Sequence, residues 1–495
     1  MATVRLSALA GTLGVPLSGE DREITGITLD SRQVQPGQLF VAIPGANADG
    51  TRFIPDALER GAVAVCAVRP WDGVPTLVVD DPREALARLA AEFHGHPARD
   101  LRMIGITGSL GKTSTALLLE TIIGAAGEKV GVIGSLGIRF EGHVVETGMT
   151  TPEAPAIHGS LRYFAAQGAG TAVMEVTSHS ILLKRVDGLQ YDLGLLTNIV
   201  PYEHLEFHPT PEHYVRTKTR FFGMLKPGAP LVVNDDDPTA RQVSTGLDRP
   251  VIGVSLRTRD SSAVHVQRVL MGVEGSTFAL HVRRPLPLLD GGEAPAMTIP
   301  LALPILGRQQ VANAALAATA ALIAGIPAET IAFALAGVEP MHRRMHILYE
   351  EGPVLLDDTV GNPESIRAVF EAIRSIPHHN LRIAYAIRGS RGTEVNERNA
   401  EALAREIEPT VATLIVTASE DHASERDRVE DEERDVVLRT LEACGVPYIY
   451  EPTLERAVTR ALEGAARGDL VALLGAQGMD KGGEIARRLL PPPVD

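Results

Sequence analysis

MIGITGSLGKTST, residues 103–115, decides the fold. A short apolar run, Met103–Thr107, leads into a glycine-rich turn, and Lys112 opens a segment with helical spacing. The pattern Gly105-x-x-Gly108-x-x-Gly111-Lys112-Thr113 sits where strand passes to helix. Glycines there let the backbone turn tightly, so that successive N–H groups point at phosphate oxygens. Lys112 is placed to neutralise β- and γ-phosphate charge, and the Thr113 hydroxyl to ligate Mg²⁺. Gly108, Ser109, Leu110, Gly111, Lys112, Thr113 and Ser114 therefore form the expected ATP loop. Its spacing departs from the common four-residue gap, because Ile106 stands where the first glycine would be. The chain has six lysines, at 112, 129, 184, 218, 226 and 481, so a lysine in this loop is informative in an arginine-rich protein.

Working outward, apolar runs of four to six residues recur, each followed by a turn and a helix-like stretch. They are Ala172–Val176, Leu193–Thr197, Leu231–Val233, Arg382–Ala386, Thr413–Thr417 and Leu470–Leu474. Short strands of the doubly buried type alternating with helices predict α/β architecture with parallel sheets. Lys112–Ala126 is a predicted helix with Leu118, Ile122 and Ala125 on one face and Gly127 as its stop. Residues 311–324 read as a buried helix of small residues. The stretch 255–300 reads as an antiparallel excursion, and the charged run Glu425–Asp435 as a solvated helix or loop. The patch HPARDLR at 96–102 and the break at Glu339–Pro340 divide the chain into three domains. These are 1–100, a central P-loop-type parallel-sheet domain at 101–339, and a C-terminal Rossmann-like domain at 340–495.

Composition narrows the function. With 47 Lys plus Arg against 62 Asp plus Glu, the balance of 47 − 62 = −15 disfavours a broad basic face for nucleic acid. Aromatic residues are 4% of the chain, too few for base stacking to dominate recognition. Cys66 and Cys444 give neither a disulfide framework nor metal-ligand spacing, which fits a reducing cytoplasm. The N-terminus lacks signal-peptide features, and no apolar run reaches the length of a membrane span. A soluble, monomeric, cytoplasmic protein acting on small anionic molecules is the expectation.

Beyond the loop, ordered segments carry a resemblance over nearly the whole chain. They are ITLDSRQVQPGQLFVAIPGANADGTRFIPDALERGAV (27–63), MTTPEA (149–154), MEVTSHS (174–180), TNIVPYEHLEFH (197–208), YVRTKTRFF (214–222), NDDDP (234–238) and LGRQQVANAALAA (306–318). In this order they resemble the Mur ligase family, the ATP-dependent amide-forming enzymes of peptidoglycan precursor synthesis. The likeness is nearest to its MurE type, which adds an amino acid to a UDP-N-acetylmuramoyl dipeptide. The resemblance implies a uridine-nucleotide domain at 1–100, an ATP-binding domain at 101–339 and an amino-acid-binding domain at 340–495.

It also implies roles for particular residues. Lys112, Glu175, His204 and Lys218 become the catalytic set. Thr113 and Glu175 would hold one Mg²⁺, His204 would help hold a second, and a carbamylated Lys218 would orient the metal site. Asn234, Asn313, Arg344 and Asp358 would join the loop in binding ATP. Leu29, Ser31 and the Ala46-Asn47-Ala48 turn would meet uridine, while Thr150, Thr151, Ser178 and Arg185 would meet phosphates, sugar or peptide.

The C-terminal region departs from the family pattern. Its Asp-Tyr-Ala-His-x-Pro stretch reads here Asp358-Thr359-Val360-Gly361-Asn362-Pro363, with glycine in the histidine's place. The Asp-Asn-Pro-Arg motif that selects diaminopimelate is missing from VTASEDHAS (416–424), and LLGAQGMDKGGEIA (473–486) matches only loosely. An active ligase with a different amine follows. Glu420 and Asp421 offer charge complementary to a basic amino acid such as lysine or ornithine. Two alternatives are a Mur-like ligase acting on a carboxylate outside peptidoglycan synthesis, and a catalytically impaired nucleotide-binding homologue.

Overall fold

Apolar runs without alternation form strands buried on both faces, the situation a parallel sheet covered by helices provides. The computed structural model describes residues 3–45, 49–203, 207–257, 259–340, 342–407 and 412–490. The chain divides into two units. One is Met1–Val266 with His281–Thr298 and Asn313–Ala334, the other Gln267–Leu280 with Ile299–Ala312 and Leu335–Asp495.

The first unit includes, near its start, four parallel strands in sequential order. They are β1 (Ile27–Thr28), β2 (Leu39–Val41), β3 (Ala64–Ala67) and β4 (Thr76–Val78). Helix α1 (Pro82–Phe93) starts where Asp81 accepts the backbone N–H groups of Arg83 and Glu84, with Pro82 in the first turn. Its Leu86 and Leu89 share a core with Leu39, Val41 and Leu77.

The same unit continues through β5 (Arg102–Thr107), α2 (Lys112–Ala125), β6 (Val130–Gly134), α3 (Ala154–Ala166) and β7 (Thr171–Glu175). It then runs through α4 (Ser178–Leu182), β8 (Leu193–Leu196), α5 (Pro211–Thr219), β9 (Leu231–Asn234) and β10 (Val251–Ser255). These strands lie in the order β6-β7-β5-β8-β9-β10, every neighbouring pair parallel, inside a larger sheet. The chain leaves β5 for one side and returns to lay β8 on the other. This reversal opens a crevice at the carboxyl ends of β7, β5 and β8, the usual ligand position in such sheets.

Three local expectations change. Helix α2 buries Leu118, Leu119, Ile122 and Ile123, whereas Ala125 is exposed, because its last turn leaves the sheet before Gly127 (φ 81°) ends the segment. Gly105 belongs to β5 and not to the loop. A Cβ there would lie 2.7 Å from the Phe221 ring and 2.8 Å from Tyr191, so the glycine serves packing beneath the sheet. The small-residue helix runs Arg308–Ile323 and buries Ala314, Ala315, Ala317, Ala318 and Ala321. The stretch after β10 does contain antiparallel pairing, Leu286–Pro287 against Glu293–Ala294.

The second unit carries β11 (Val354–Asp358), α6 (Pro363–Ser375), β12 (Leu381–Ala386), α7 (Thr393–Glu406), β13 (Ala412–Thr417) and α8 (Asp431–Ala443). It ends with β14 (Tyr448–Tyr450), α9 (Leu454–Leu462), β15 (Leu470–Gly475) and α10 (Gly482–Leu489). The parallel order is β11-β15-β12-β13-β14, with the strand His346–Tyr349 antiparallel on β11. Among the described residues no helix is long and apolar enough to cross a membrane.

The charged run at 425–435 is solvated except at one place. Glu433 is 3% exposed, and its carboxylate accepts four backbone N–H groups. Those of Arg391 and Gly392 lie at 2.7 and 2.6 Å, and those of Ser390 and Glu430 at 2.9 and 3.1 Å. The carboxylate thus fastens the loop after β12 to the start of α8. Glu433→Ala would orphan these donors, and unfolding of the unit should then be easier by about 3 kcal/mol, read as a lowered denaturation midpoint. Glu433→Gln should recover part of the loss.

Candidate active site

Loop 108–111 owes its shape to two glycines and to two residues that directly follow β8. Gly108 (φ 149°) and Gly111 (φ 84°) occupy backbone conformations that suit glycine, and a Cβ at either would run into Thr197 or Asn313 respectively. The Thr197 hydroxyl donates to the Leu110 carbonyl at 2.6 Å. The Asn198 side chain brackets the same residue, donating to its carbonyl at 3.0 Å and accepting its N–H at 2.9 Å. Ser109 Oγ accepts the Val200 N–H and lies 2.7 Å from the Tyr214 hydroxyl. Sequence reasoning quoted TNIVPYEHLEFH but gave Thr197 and Asn198 no role. Their signal was position, since both directly follow the strand beside the loop.

Two ammonium groups converge on one loop carbonyl. Lys112 Nζ donates to Gly108 O at 2.8 Å and Ser109 O at 3.0 Å, and Lys218 Nζ donates to Gly108 O at 3.0 Å. Lys218 is 2% exposed and lies over the Tyr214 ring, 4.9 Å from its centroid. Burial, and then the charge on Lys112, hold its amine well below the usual lysine range. Both causes disfavour the charged ammonium form of Lys218 relative to the neutral amine.

Glu175 ends β7 and is 1% exposed. Burial raises its pKa, opposed first by the Lys112 charge and then by hydrogen bonds. Its Oε2 accepts the Thr113 hydroxyl at 3.0 Å, and its Oε1 accepts the Ser135 N–H at 2.9 Å. Ser135, which sequence reasoning missed, also pairs with Thr150 through their hydroxyls at 2.9 Å. A buried carboxylate beside a threonine hydroxyl is a hard oxygen set of the kind Mg²⁺ takes, so the residues present fit that ion. His204 lies outside the described residues.

The remaining candidates fall into three groups. Leu29 and Ser31 line a cavity of about 1000 Å³ with Asp30, Arg32, Met149 and Glu153, while Ala46, Asn47 and Ala48 lie outside the described residues. Thr151 and Arg185 meet beside Glu153, which lines that cavity. The Thr151 hydroxyl donates to Glu175 O at 2.8 Å, and Arg185 donates to Thr151 O at 3.0 Å while pairing with Glu153 at 2.7 Å. Ser178 starts α4 just beyond Glu175. Asn313 abuts Gly111, whereas Asn234 accepts the Asp236 N–H and shapes the turn after β9.

Arg344 and Asp358 come together in the second unit. Asp358 Oδ1 accepts the Met345 N–H at 2.9 Å, and burial pushes its carboxyl up to about 7. Arg388 fills the space beside Gly361: it donates to Gly361 O at 2.7 Å, and a Cβ on Gly361 would lie 3.3 Å from its guanidinium. Asp421 is committed to scaffolding. Its two carboxylate oxygens accept the Leu454 and Glu455 N–H groups at 2.7 and 3.2 Å, capping α9, which argues against its expected use on a basic amino acid.

Three family models match the chain in order. They are "Mur ligase family, catalytic domain" at 23–94, "Mur ligase middle domain" at 106–321 and "Mur ligase, glutamate ligase domain" at 343–477. The chain belongs to the Mur ligase family. It is an ATP-dependent ligase. A Streptomyces coelicolor relative, UDP-N-acetylmuramoyl-L-alanyl-D-glutamate–2,6-diaminopimelate ligase, is 33% identical over 98% of this chain and 94% of its own length. UDP-N-acetylmuramyl-tripeptide synthetase of a Roseiflexus species is 34% identical over 92% of this Mur ligase and 89% of its own length. Among solved structures, a diaminopimelate ligase superposes with TM-score 0.67 at 21% identity, covering 98% of this chain and 99% of that one. MurF of Thermotoga maritima, in complex with ADP, superposes with TM-score 0.64 at 20% identity, covering 94% and 96%.

The Asp358 carboxyl gives a pH test with a definite sign. Its folded pKa of about 7 lies above the ordinary 3.8, so stability is full below about pH 4 and declines as pH rises towards 7. Above pH 7 the whole penalty persists. Asp358→Asn should therefore raise Tm by on the order of 5 °C at pH 8 and change it little at pH 4, as checked by thermal melts across that range.

Proposed function

We propose that this Mur ligase joins an amino acid to the terminal carboxylate of a UDP-N-acetylmuramoyl dipeptide, releasing ADP and phosphate. The observation that carries the reading is the joint placement of Lys112, Lys218, Thr113 and Glu175 around one phosphate-type loop. The names of relatives matched over nearly their whole length support the acceptor. We assign uridine recognition to residues 1–100, ATP to 101–339 and the amino acid to 340–495, a division to be tested by the substrate each part protects from proteolysis.

The chemistry needs little from a base. An acceptor carboxylate oxygen attacks the γ-phosphorus of ATP, the bond to the β-phosphate oxygen breaks, and ADP departs from an acyl phosphate. The amine nitrogen then attacks the acyl carbon. The nitrogen loses a proton, and phosphate leaves with the bridging oxygen. Positioning and charge neutralisation therefore supply the catalysis. Lys112 counters charge on the phosphoryl oxygens, and the loop N–H groups orient them. Mg²⁺, held by Thr113 and Glu175, would supply further neutralisation of nucleotide charge. Lys218 is assigned as a carbamylation site: an uncharged buried amine can add to CO₂ with loss of a proton, giving an anion in place of a second cation on Gly108 O.

On the acceptor side, Leu29 and Ser31 are assigned to uridine, and Thr150, Thr151, Ser178 and Arg185 to the anionic sugar-peptide portion. The amine differs from diaminopimelate in this reading, supported by the missing Asp-Asn-Pro-Arg motif. An ADP-release screen with UDP-N-acetylmuramoyl dipeptide and single amino acids tests the reading. Release should need ATP, acceptor and one amino acid together, and Lys112→Ala should lower kcat by about a hundredfold or more. Release that ignores the acceptor would overturn the assignment and favour another carboxylate. Lys218→Arg should also be inactive, and intact mass under bicarbonate should show a labile gain of one CO₂ in the unaltered protein that the variant lacks.

A further inference from the structure

Ser178 is 2% exposed, and its Oγ lies 3.1 Å from Nε2 of His208, a fully buried residue thirty positions later. The other ring nitrogen of His208, Nδ1, lies 3.0 Å from Nδ1 of His213 on α5. The neighbouring pair repeats the attachment, since the ring of Phe207 stacks on His179 at 4.2 Å between centroids. His208 also meets the Tyr214 ring edge to face at 5.2 Å, and the Tyr214 hydroxyl reaches Ser109 in the phosphate loop. The serine is thus held by a chain that leads back to the ATP loop.

A nitrogen-to-nitrogen hydrogen bond contains one proton, so the tautomers of the two imidazoles are linked. In one arrangement His213 donates from Nδ1 to His208 Nδ1. His208 then carries its own proton on Nε2 and donates it to Ser178 Oγ, leaving the serine O–H free to point elsewhere. In the other arrangement His208 donates from Nδ1, and Ser178 spends its O–H on His208 Nε2. The acceptor assigned to this site presents carboxylate and pyrophosphate oxygens, which accept hydrogen bonds and offer no donor in return. A serine that had spent its hydrogen would turn only lone pairs towards them.

We propose that His208, its tautomer fixed by His213, is a positioning residue that keeps Ser178 as a hydroxyl donor to an anionic oxygen of the acceptor. The proposal rests on the acceptor reading above, and its two readouts separate the fates of the two. The first is ¹⁵N-histidine NMR of the full-length protein, with the His208 signals assigned by their loss in His208→Gln. The ring should be protonated at Nε2 and bare at Nδ1, and His213→Ala should remove that preference. A His208 ring protonated at Nδ1 would overturn the proposal whatever the turnover.

The second readout is steady-state kinetics with UDP-N-acetylmuramoyl dipeptide. His208→Ala should raise the acceptor KM roughly tenfold to a hundredfold and leave the ATP KM within about twofold. In a Ser178→Ala background the same change should have little further effect. His208→Gln, whose amide reaches the Nε2 position, should restore most of the loss, and His208→Asn should not. Equal losses with and without Ser178, or a parallel rise in the ATP KM, would mark His208 as merely structural and sink the proposal. An Nε2-protonated ring in a protein that neither binds nor turns over the acceptor would instead sink the acceptor reading, and the serine's assigned role with it.

Discussion

Two lysine side chains share the carbonyl oxygen of Gly108, and the candidate active site is arranged around that crowding. A single backbone carbonyl cannot satisfy two cations in a buried place without help. Help comes from the fixed dipoles of the loop, from Glu175 near Lys112, and from burial, which lowers the pKa of Lys218. An anion arriving at the loop relieves the conflict. The loop and Glu175 are carried by neighbouring strands of a parallel sheet that are almost entirely buried.

That sheet explains how much of the site was legible in the sequence. Strand, loop and helix are contiguous, so the phosphate loop could be read from thirteen residues. Its supports could not. Thr197, Asn198 and Ser135 reach the loop and Glu175 because β8 and β6 pair in a particular order across the sheet, and no local spacing encodes that order. Gly105 misled for the reverse reason: it falls at glycine-loop spacing, yet its missing side chain makes room for Phe221 and Tyr191 inside the sheet. Ala125 was assigned to a buried face from periodicity, but a helix stays amphipathic only as far as something covers it.

The family resemblance implies roles that residue chemistry alone leaves open, and at some positions the backbone gives a separate reason to look. Glu175 is such a case, since a carboxylate at the end of a buried strand is costly unless something uses it. Arg185 is less direct. Its guanidinium is already paired with Glu153, so any acceptor must compete with that carboxylate or share the arginine with it. Glu153 also lines the cavity beside Leu29 and Ser31, so the Arg185–Glu153 pair lies at its edge.

In the second unit the sequence was read too functionally. Acidic residues in loops after parallel strands look like ligands for an incoming amine, and Glu420–Asp421 invited that interpretation. The structure assigns such carboxylates to the backbone instead: Asp421 caps a helix thirty residues away, and Glu433 gathers four N–H groups from two segments. A carboxylate engaged in this way is a poor recognition element, because binding a substrate cation would strip the donors that hold the loop in place. Arg388 illustrates the complementary change, filling room that a side chain at residue 361 would otherwise need. The loops of the second unit are thus tied down by their own side chains, and a motif search along the chain does not register such ties.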